Sequence, residues 1–198
     1  MGWPRRLSIL FGALALAGPA LAQFSDSFNF LKAVKDRKGD EVMTYLNKPG
    51  QPVLNARDGA SGDTALMIVT RRHDDQWLAF LLSRGADASV RDSSGNVPLH
   101  VAAQSSDIEA VTLLLQAGAN VNAVNGSGET PLILAVHNRD LPTIRLLLTN
   151  RANPDIADTI AGQSARDYAA SDRRGTAVVK LFDEVKAKPA VQVVGPVR

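Results

Sequence analysis

A sequence pattern with a period of 33 residues recurs along this chain of 198 residues. Thr64-Ala65-Leu66-Met67 returns as Val97-Pro98-Leu99-His100 and again as Thr130-Pro131-Leu132-Ile133, each time 33 residues further on. A divergent fourth copy, Ser164-Ala165-Arg166-Asp167, follows after 34 residues. A unit of this length cannot bury its own apolar face, so neighbouring units must stack. The period therefore predicts an elongated array of similar units.

Each unit is predicted to contain two helices and a turn. In the third unit, the first helix places Leu99, Ala102 and Ala103 on one face. Asp107 is then predicted to cap a second helix, which carries the apolar residues Ile108, Val111, Leu114 and Leu115. Gly118 predicts the end of that helix, and Asn125-Gly126 is a pair favoured at the tip of a hairpin.

The ends of the units repeat as well. Leu81-Leu82-Ser83-Arg84-Gly85-Ala86-Asp87 recurs at 114–120 and, more loosely, at 147–153. With the tetrads, these residues resemble the ankyrin repeat, which implies an all-α solenoid of stacked helix pairs with short β-hairpin fingers. We expect about five repeats, at 24–58, 59–91, 92–124, 125–157 and 158–185. The family motif has a histidine at its fourth position. Here only His100 occupies that position, and Met67, Ile133 and Asp167 stand there in the other copies. Some of the hydrogen bonds that this histidine makes between repeats should therefore be absent.

The two ends of the chain differ from the array. Arg5 and Arg6 precede an apolar run over 7–17, and Ala20-Leu21-Ala22 follows, which is the layout of a cleaved signal peptide at 1–22. The apolar run over 7–17 is shorter than the about 20 apolar residues that a membrane-spanning helix needs, so we expect no stable membrane anchor after cleavage. We expect the ankyrin-repeat domain at 23–185, a flexible tail at 186–198, and export to the periplasm in preference to the extracellular space.

The charge balance argues against a nucleic-acid partner. The chain has 22 basic and 20 acidic residues, and loss of the signal peptide would remove two arginines and no acid. The mature protein would be formally neutral and would lack the positive charge that supplies most non-specific affinity for nucleic acids. The chain contains no cysteine, so we expect no disulfide framework.

Motifs of catalysis do not appear in the sequence, which has no phosphate-binding loop, dinucleotide fingerprint, nucleophile elbow or zinc-protease motif. His73, His100 and His137 occupy different positions of the repeat, so we expect no metal site and no cofactor. Trp77 is predicted to pack in the core. Asp75 is expected either to face solvent or to serve as an acid in the first turn of its helix.

The ankyrin resemblance assigns partner binding to the fingers and to the concave ends of the first helices. Arginine is frequent there, and it favours a partner with an acidic segment, although solvated turns are the simpler alternative. The predicted partner-binding residues are Arg71, Arg72, His73, Arg91, Ser94, Asn96, Gln104, Ser105, Ser127, Glu129, His137, Asn138, Arg139 and Arg173.

The predicted function is a non-catalytic module for protein–protein interaction, expected to be a monomer. This step rests on the family resemblance, because a fold alone does not determine function. Two alternatives stay open: a secreted effector that acts on host proteins, and a helper of an exported stress-defence enzyme. A hydrolytic enzyme with a site hidden from linear motifs ranks last.

Overall fold

The structure is a computed structural model that describes residues 18–48 and 53–187, with side chains at 26–48 and 53–185. Most of the predicted signal peptide, the segment 49–52 and nearly all of the predicted tail lie outside the described residues. Within the described residues the chain forms ten α-helices and a short 3₁₀ helix at Val53–Asn55. The helices are α1 Gly18–Lys35, α2 Gly39–Leu46, α3 Ala65–Arg71, α4 Asp75–Ser83, α5 Pro98–Gln104, α6 Ile108–Gln116, α7 Pro131–His137, α8 Leu141–Thr149, α9 Ala165–Ser171 and α10 Thr176–Ala187.

The helices form a stack of pairs. Each odd-numbered helix packs against the even-numbered helix that follows it, and the odd-numbered helices also contact one another in chain order from α1 to α9. On the other side of the stack, α4, α6, α8 and α10 make the corresponding contacts. This arrangement confirms the predicted all-α solenoid. None of the described helices is long and apolar enough to cross a membrane.

Short polar side chains start most of these helices. The hydroxyl oxygens of Thr64 and Thr130 accept hydrogen bonds from backbone N–H groups in the first turns of α3 and α7. Asp74, Asp107 and Asp140 do the same for α4, α6 and α8. Such a bond satisfies one of the backbone donors that a helix start leaves without a partner. The predicted capping role of Asp107 is therefore confirmed.

Equivalent leucines and alanines build one continuous core. Leu66, Leu99 and Leu132 of the odd-numbered helices are fully buried, and Ala102 and Ala135 between them allow the helices to approach closely. The predicted core residues Leu99, Ala102, Ala103, Val111 and Leu114 are all buried. Ile108 is an exception at 45% exposure, because it is the first residue of α6 and lies at the edge of the stack.

The helices of each of the first four pairs are joined by the same tight turn, which places a residue with a side chain in the left-handed region. These residues are Arg37, His73, Ser106 and Arg139, with φ between 54° and 59°. In the second pair, the N–H of His73 donates to Thr70 O and that of Asp74 to Val69 O. Side chains crowd the backbone in this region at a cost of roughly 1–2 kcal/mol per residue. The turns therefore hold backbone strain at four equivalent places.

The predicted β-hairpin fingers are not confirmed. The described residues contain no β-strand, and Ala157 and Ser164 form an isolated bridge. The loops between pairs are turns organised by Asp58, Asp92, Asn125 and Asp158, whose side-chain oxygens accept backbone N–H groups of the same turn. We call these four turns the finger turns.

The third finger turn differs from the hairpin that Asn125-Gly126 suggested. The glycine with positive φ is Gly128, at 76°, and Gly126 does not have positive φ. Asn125 Oδ1 accepts the N–H groups of Ser127 and Glu129, so the side chain replaces part of the backbone pairing of a hairpin.

Backbone hydrogen bonds connect neighbouring finger turns. The N–H groups of Ser93, Gly126 and Thr159 donate to the carbonyls of Ser61, Ser94 and Ser127, each at 2.9 Å. One such bond crosses each junction between adjacent turns. The finger turns are therefore held in a row along one side of the stack.

His100 connects its own unit to the next one, as the motif position implies. Its Nδ1 accepts from the N–H of Val97, and its Nε2, which then carries the proton, lies 3.0 Å from the carbonyl oxygen of Glu129. Burial lowers the pKa of His100, so the ring stays neutral and both bonds persist at neutral pH. Met67 and Ile133 offer no such polar atoms, and Asp167 instead accepts from Ser164 of its own unit.

Gly175 sets the distance between α9 and α10. A Cβ atom at this position would lie 1.8 Å from the carbonyl oxygen of Ala169. Gly175→Ala is therefore expected to reduce the free energy of unfolding by about 1–3 kcal/mol, the usual cost of overpacking. Urea denaturation measures the change. Gly59→Ala is the control, since its Cβ would meet no atom within 4 Å, and an equal loss in both variants would contradict the expected clash.

Candidate functional site

The structure places the predicted partner-binding residues in two rows at the surface. The helix row lies at the ends of α3, α5 and α7 and in the turns after α3, α5, α7 and α9, and it consists of Arg71, Arg72, His73, Gln104, Ser105, His137, Asn138, Arg139 and Arg173. The finger row lies in or beside the finger turns and consists of Arg91, Ser94, Asn96, Ser127 and Glu129. Nine of the residues are exposed, namely Arg71, His73, Arg91, Ser94, Gln104, His137, Asn138, Arg139 and Arg173. The other five are half-buried, namely Arg72, Asn96, Ser105, Ser127 and Glu129.

Arg71 spans the two rows. Its guanidinium lies 3.2 Å from Asp63 Oδ1 and 3.4 Å from Asp92 Oδ2, so one cation bridges an acid before α3 and an acid in the next finger turn. Both carboxylates are largely buried, at 15% and 5% exposure. Arg91 serves a similar structural purpose, because its Nη1 donates to the carbonyls of Gly95 and Val124.

The other arginines of the helix row also have partners within the chain. Arg72 donates to the carbonyl of Val34 and lies 3.0 Å from Asp74 Oδ2. Arg139 donates to Asp172 Oδ2 at 2.6 Å, and this bond holds the pKa of Asp172 below its usual range and raises that of Arg139. Much of the positive charge of these arginines is therefore compensated by acids of the same chain.

An acidic group lies beside His73, at the junction of the second and third pairs. His73 Nδ1 lies 2.9 Å from Asp107 Oδ2. This oxygen is buried and has no other partner among the described residues. Asp75 lies nearby with its own Oδ1 buried and without a hydrogen bond. Burial, followed by the charges of Asp107 and Glu109, raises the pKa of Asp75. Asp75 thus stands in the first turn of α4, as one predicted alternative had it, but is only half exposed.

Tyr168 and His137 form an aromatic pair at the other end of the helix row. Their ring centroids lie 4.5 Å apart with the planes nearly perpendicular, at 83°. The hydroxyl of Tyr168 donates to Asp158 Oδ2 at 2.5 Å, which raises the pKa of Tyr168 to about 12 and lowers that of Asp158. The phenol therefore stays a hydrogen-bond donor at any physiological pH.

Tyr168 was not predicted as a site residue. It occupies the position in α9 that Val101 and Leu134 occupy in α5 and α7, so a tyrosine at this apolar position was the available signal in the sequence. Trp77 packs against the core as predicted but stays half-buried, because its large ring extends beyond the buried space that Ala110 and Thr143 fill in the equivalent helices.

The described residues contain no group of three or more histidine, cysteine or acidic side chains arranged to hold a metal ion. Two surface depressions of about 380 Å³ and 350 Å³ lie beside α4. The first borders Arg37, His73 and Asp75, and the second borders Met43, Trp77 and Phe80. Both are shallow surface features of the stack.

Asp75→Asn is expected to increase the free energy of unfolding at pH 7 by less than about 1 kcal/mol, since solvent screens a half-buried group. Because the pKa of Asp75 is raised in the folded state, the neutral carboxyl form is compatible with folding below the unfolded pKa, and that contribution is lost as pH rises through the folded pKa and the carboxylate forms. The gain should therefore shrink toward about pH 4. Urea denaturation at the two pH values measures the gain, with Asp40→Asn, an exposed acid in the first turn of α2, as the control. A gain that is independent of pH would contradict the argument.

Ser106→Gly is expected to stabilise the fold by roughly 0.5–1 kcal/mol. Glycine relieves the left-handed strain at φ 56°, and its greater freedom in the unfolded chain offsets only part of that gain. The neighbouring Ser105→Gly is the matched control, since Ser105 has φ −87° and its hydroxyl donates to the carbonyl of Val101. Thermal unfolding of both variants is the measurement, and equal effects of the two would count against backbone strain.

Comparison with known proteins agrees with the geometry of the stack. The family model described as ankyrin repeats (many copies) matches residues 67–115 and 99–148. No curated protein matches the chain. The matched residues run from α3 into α8, which covers the pairs that share the most regular turns and caps. These matches support an ankyrin-repeat family over residues 67–148 of the chain.

Proposed function

We propose that this protein is a non-catalytic interaction module that binds a partner protein across the helix row and the finger row. Ankyrin repeats are generally modules for protein–protein interaction, and their domains are typically non-catalytic. The observation that carries the proposal is the pair of polar rows, which repeat along the stack and include exposed side chains such as Gln104 and His137. An array of this kind offers an extended surface in place of a closed cavity.

The proposal includes export and a monomeric state. The layout of residues 1–22 supports a signal peptide, and the periplasm is the compartment we propose. A partner with an acidic segment stays a prediction, although the intramolecular pairs of Arg71 and Arg139 leave less unpaired positive charge than the sequence suggested. Gln104 and Arg173 have no side-chain partner among the described residues, so they present the most accessible polar groups of the helix row.

Two specific functions fit this proposal and differ in the partner. The protein is either a helper of an exported stress-defence enzyme or a secreted effector that acts on host proteins. An effector would be found outside the producing cell, whereas a helper would stay with the enzyme. Fractionation of the producing culture separates the two.

The double variant Gln104→Arg/Arg173→Glu is expected to lose its partner, because it changes charge in the helix row without removing an intramolecular bond of either side chain. The full chain is expressed in its own cells, crosslinked and isolated with whatever it captures. Gln116→Arg/Lys180→Glu is the matched control, with the same two kinds of substitution at exposed positions of α6 and α10.

We expect wild type and control to capture the same protein and the helix-row variant to capture at least about tenfold less, which corresponds to one lost charged contact. Equal capture by both double variants would place binding elsewhere on the molecule. Capture of nothing by wild type would contradict an interaction module.

A further inference from the structure

The repeat carries the same three-residue site at three successive places. Arg71, Gln104 and His137 are separated by one period each, and so are Asp63, Asn96 and Glu129 before the helices. Asp92, Asn125 and Asp158 of the finger turns complete the sets with the same spacing. In the order helix end, residue before the helix and finger turn, the three sites are therefore Arg/Asp/Asp, Gln/Asn/Asn and His/Glu/Asp, one after another along the stack.

In the first two sites, every carboxylate is paired with a cation of the same site or no carboxylate is present. In the first, the guanidinium of Arg71 lies within 3.4 Å of a carboxylate oxygen from each of Asp63 and Asp92. In the second, all three side chains are neutral amides, and Asn125 Nδ2 donates to Asn96 Oδ1 at 3.1 Å. Neither site leaves a carboxylate without a partner in its own set.

The third site keeps both acids and lacks the arginine. His137 stands where Arg71 stands in the first site, and its shorter side chain packs against the ring of Tyr168. Asp158 is 5% exposed; its Oδ1 accepts the N–H groups of Ile160, Ala161 and Gly162, and its Oδ2 accepts from the neutral hydroxyl of Tyr168. Glu129 Oε2 accepts from the amide of Asn125 at 2.9 Å, and its Oε1 accepts no hydrogen bond from the described residues. Among the described residues, no lysine or arginine bonds to Glu129 or Asp158. The negative charge of Glu129 also contributes to the raised pKa of Tyr168, so the two acids act on the same phenol.

We propose that this third site, formed by Glu129, His137, Asp158 and Tyr168, binds an arginine side chain of the partner protein. The proposal rests on the function proposed above and assigns the chemistry of one contact. The first site shows which group fits between the two acids, because it contains a guanidinium there. Guanidinium also pairs with carboxylates and packs on aromatic rings, and this site contains the half-buried carboxylate of Glu129 and the exposed ring of His137. The part of the partner that contacts this third site is therefore expected to be basic. This differs from the acidic segment that the number of arginines in the sequence favoured.

The test uses the full chain and a blocked Gly-Arg-Gly tripeptide, followed by amide chemical shifts in a titration. The matched peptide carries citrulline in place of arginine, which keeps the shape and removes the charge. We expect the arginine peptide to shift amides around Glu129, His137 and Tyr168, and the citrulline peptide to bind at least about tenfold more weakly. Equal binding of the two peptides, or no shift in this region, would overturn the proposal.

Two substitutions exploit the repeat. His137→Arg copies the first site, so its own guanidinium should occupy the acids and weaken the arginine peptide at least about tenfold. Arg71→Gln should do the reverse and create a second set of shifts around Asp63 and Asp92. The dispersion of the amide spectrum shows that each variant is folded. Unchanged binding by His137→Arg, or no new site in Arg71→Gln, would refute the equivalence of the sites.

The same variants separate this proposal from the interaction module as such. Partner capture that depends on the helix row, together with no preference for arginine over citrulline, would overturn the arginine site and leave the module standing. Selective binding of the arginine peptide with no captured protein would support the site and contradict the module.

Discussion

The stacking of each unit on the next is the contact on which this structure depends. Leu66, Leu99 and Leu132 are fully buried only because α3, α5 and α7 lie side by side. A single helix pair would leave one of these faces in water, at a cost of roughly 1.5–3 kcal/mol for each large apolar side chain. The helix caps, the turns and the row of bonds between finger turns all hold neighbouring units in the register that this burial requires.

A fixed register has a consequence for function. Because each position of the unit recurs at nearly the same place beside its neighbour, a substitution changes the chemistry of the surface and leaves the backbone in place. The column of Arg71, Gln104 and His137 illustrates this, since three different side chains extend from equivalent helix ends without a change in helix length. The chemistry of the surface is therefore set by columns of equivalent residues more than by any one loop.

The sequence predicts the fold well, because the fold is set by apolar spacing and caps. The tetrads, the leucine pairs and Asp107 identify helix starts and core positions that the structure confirms. It predicts the site less well, because bonds between units depend on which side chains meet across a junction. The arginine count suggested a basic surface, but Asp63, Asp92 and Asp172 are in adjacent turns and compensate it. The role of Tyr168 could not be predicted, because its hydrogen-bond partner Asp158 lies in a loop ten residues earlier in the chain.

The left-handed turns suggest why stability was not maximised along this edge. Glycine would adopt the conformation of Arg37, His73, Ser106 and Arg139 without strain, yet all four positions carry side chains. Two of these side chains reach across a junction, His73 to Asp107 and Arg139 to Asp172, so strain in one unit is offset by a contact with the next. Ser106 makes no such contact among the described residues and leaves Asp140 Oδ2 of the following unit buried without a partner. Strain is therefore compensated by a contact at two of the four turns, and at Ser106, where glycine would relieve it without loss of such a contact, stability alone would favour glycine.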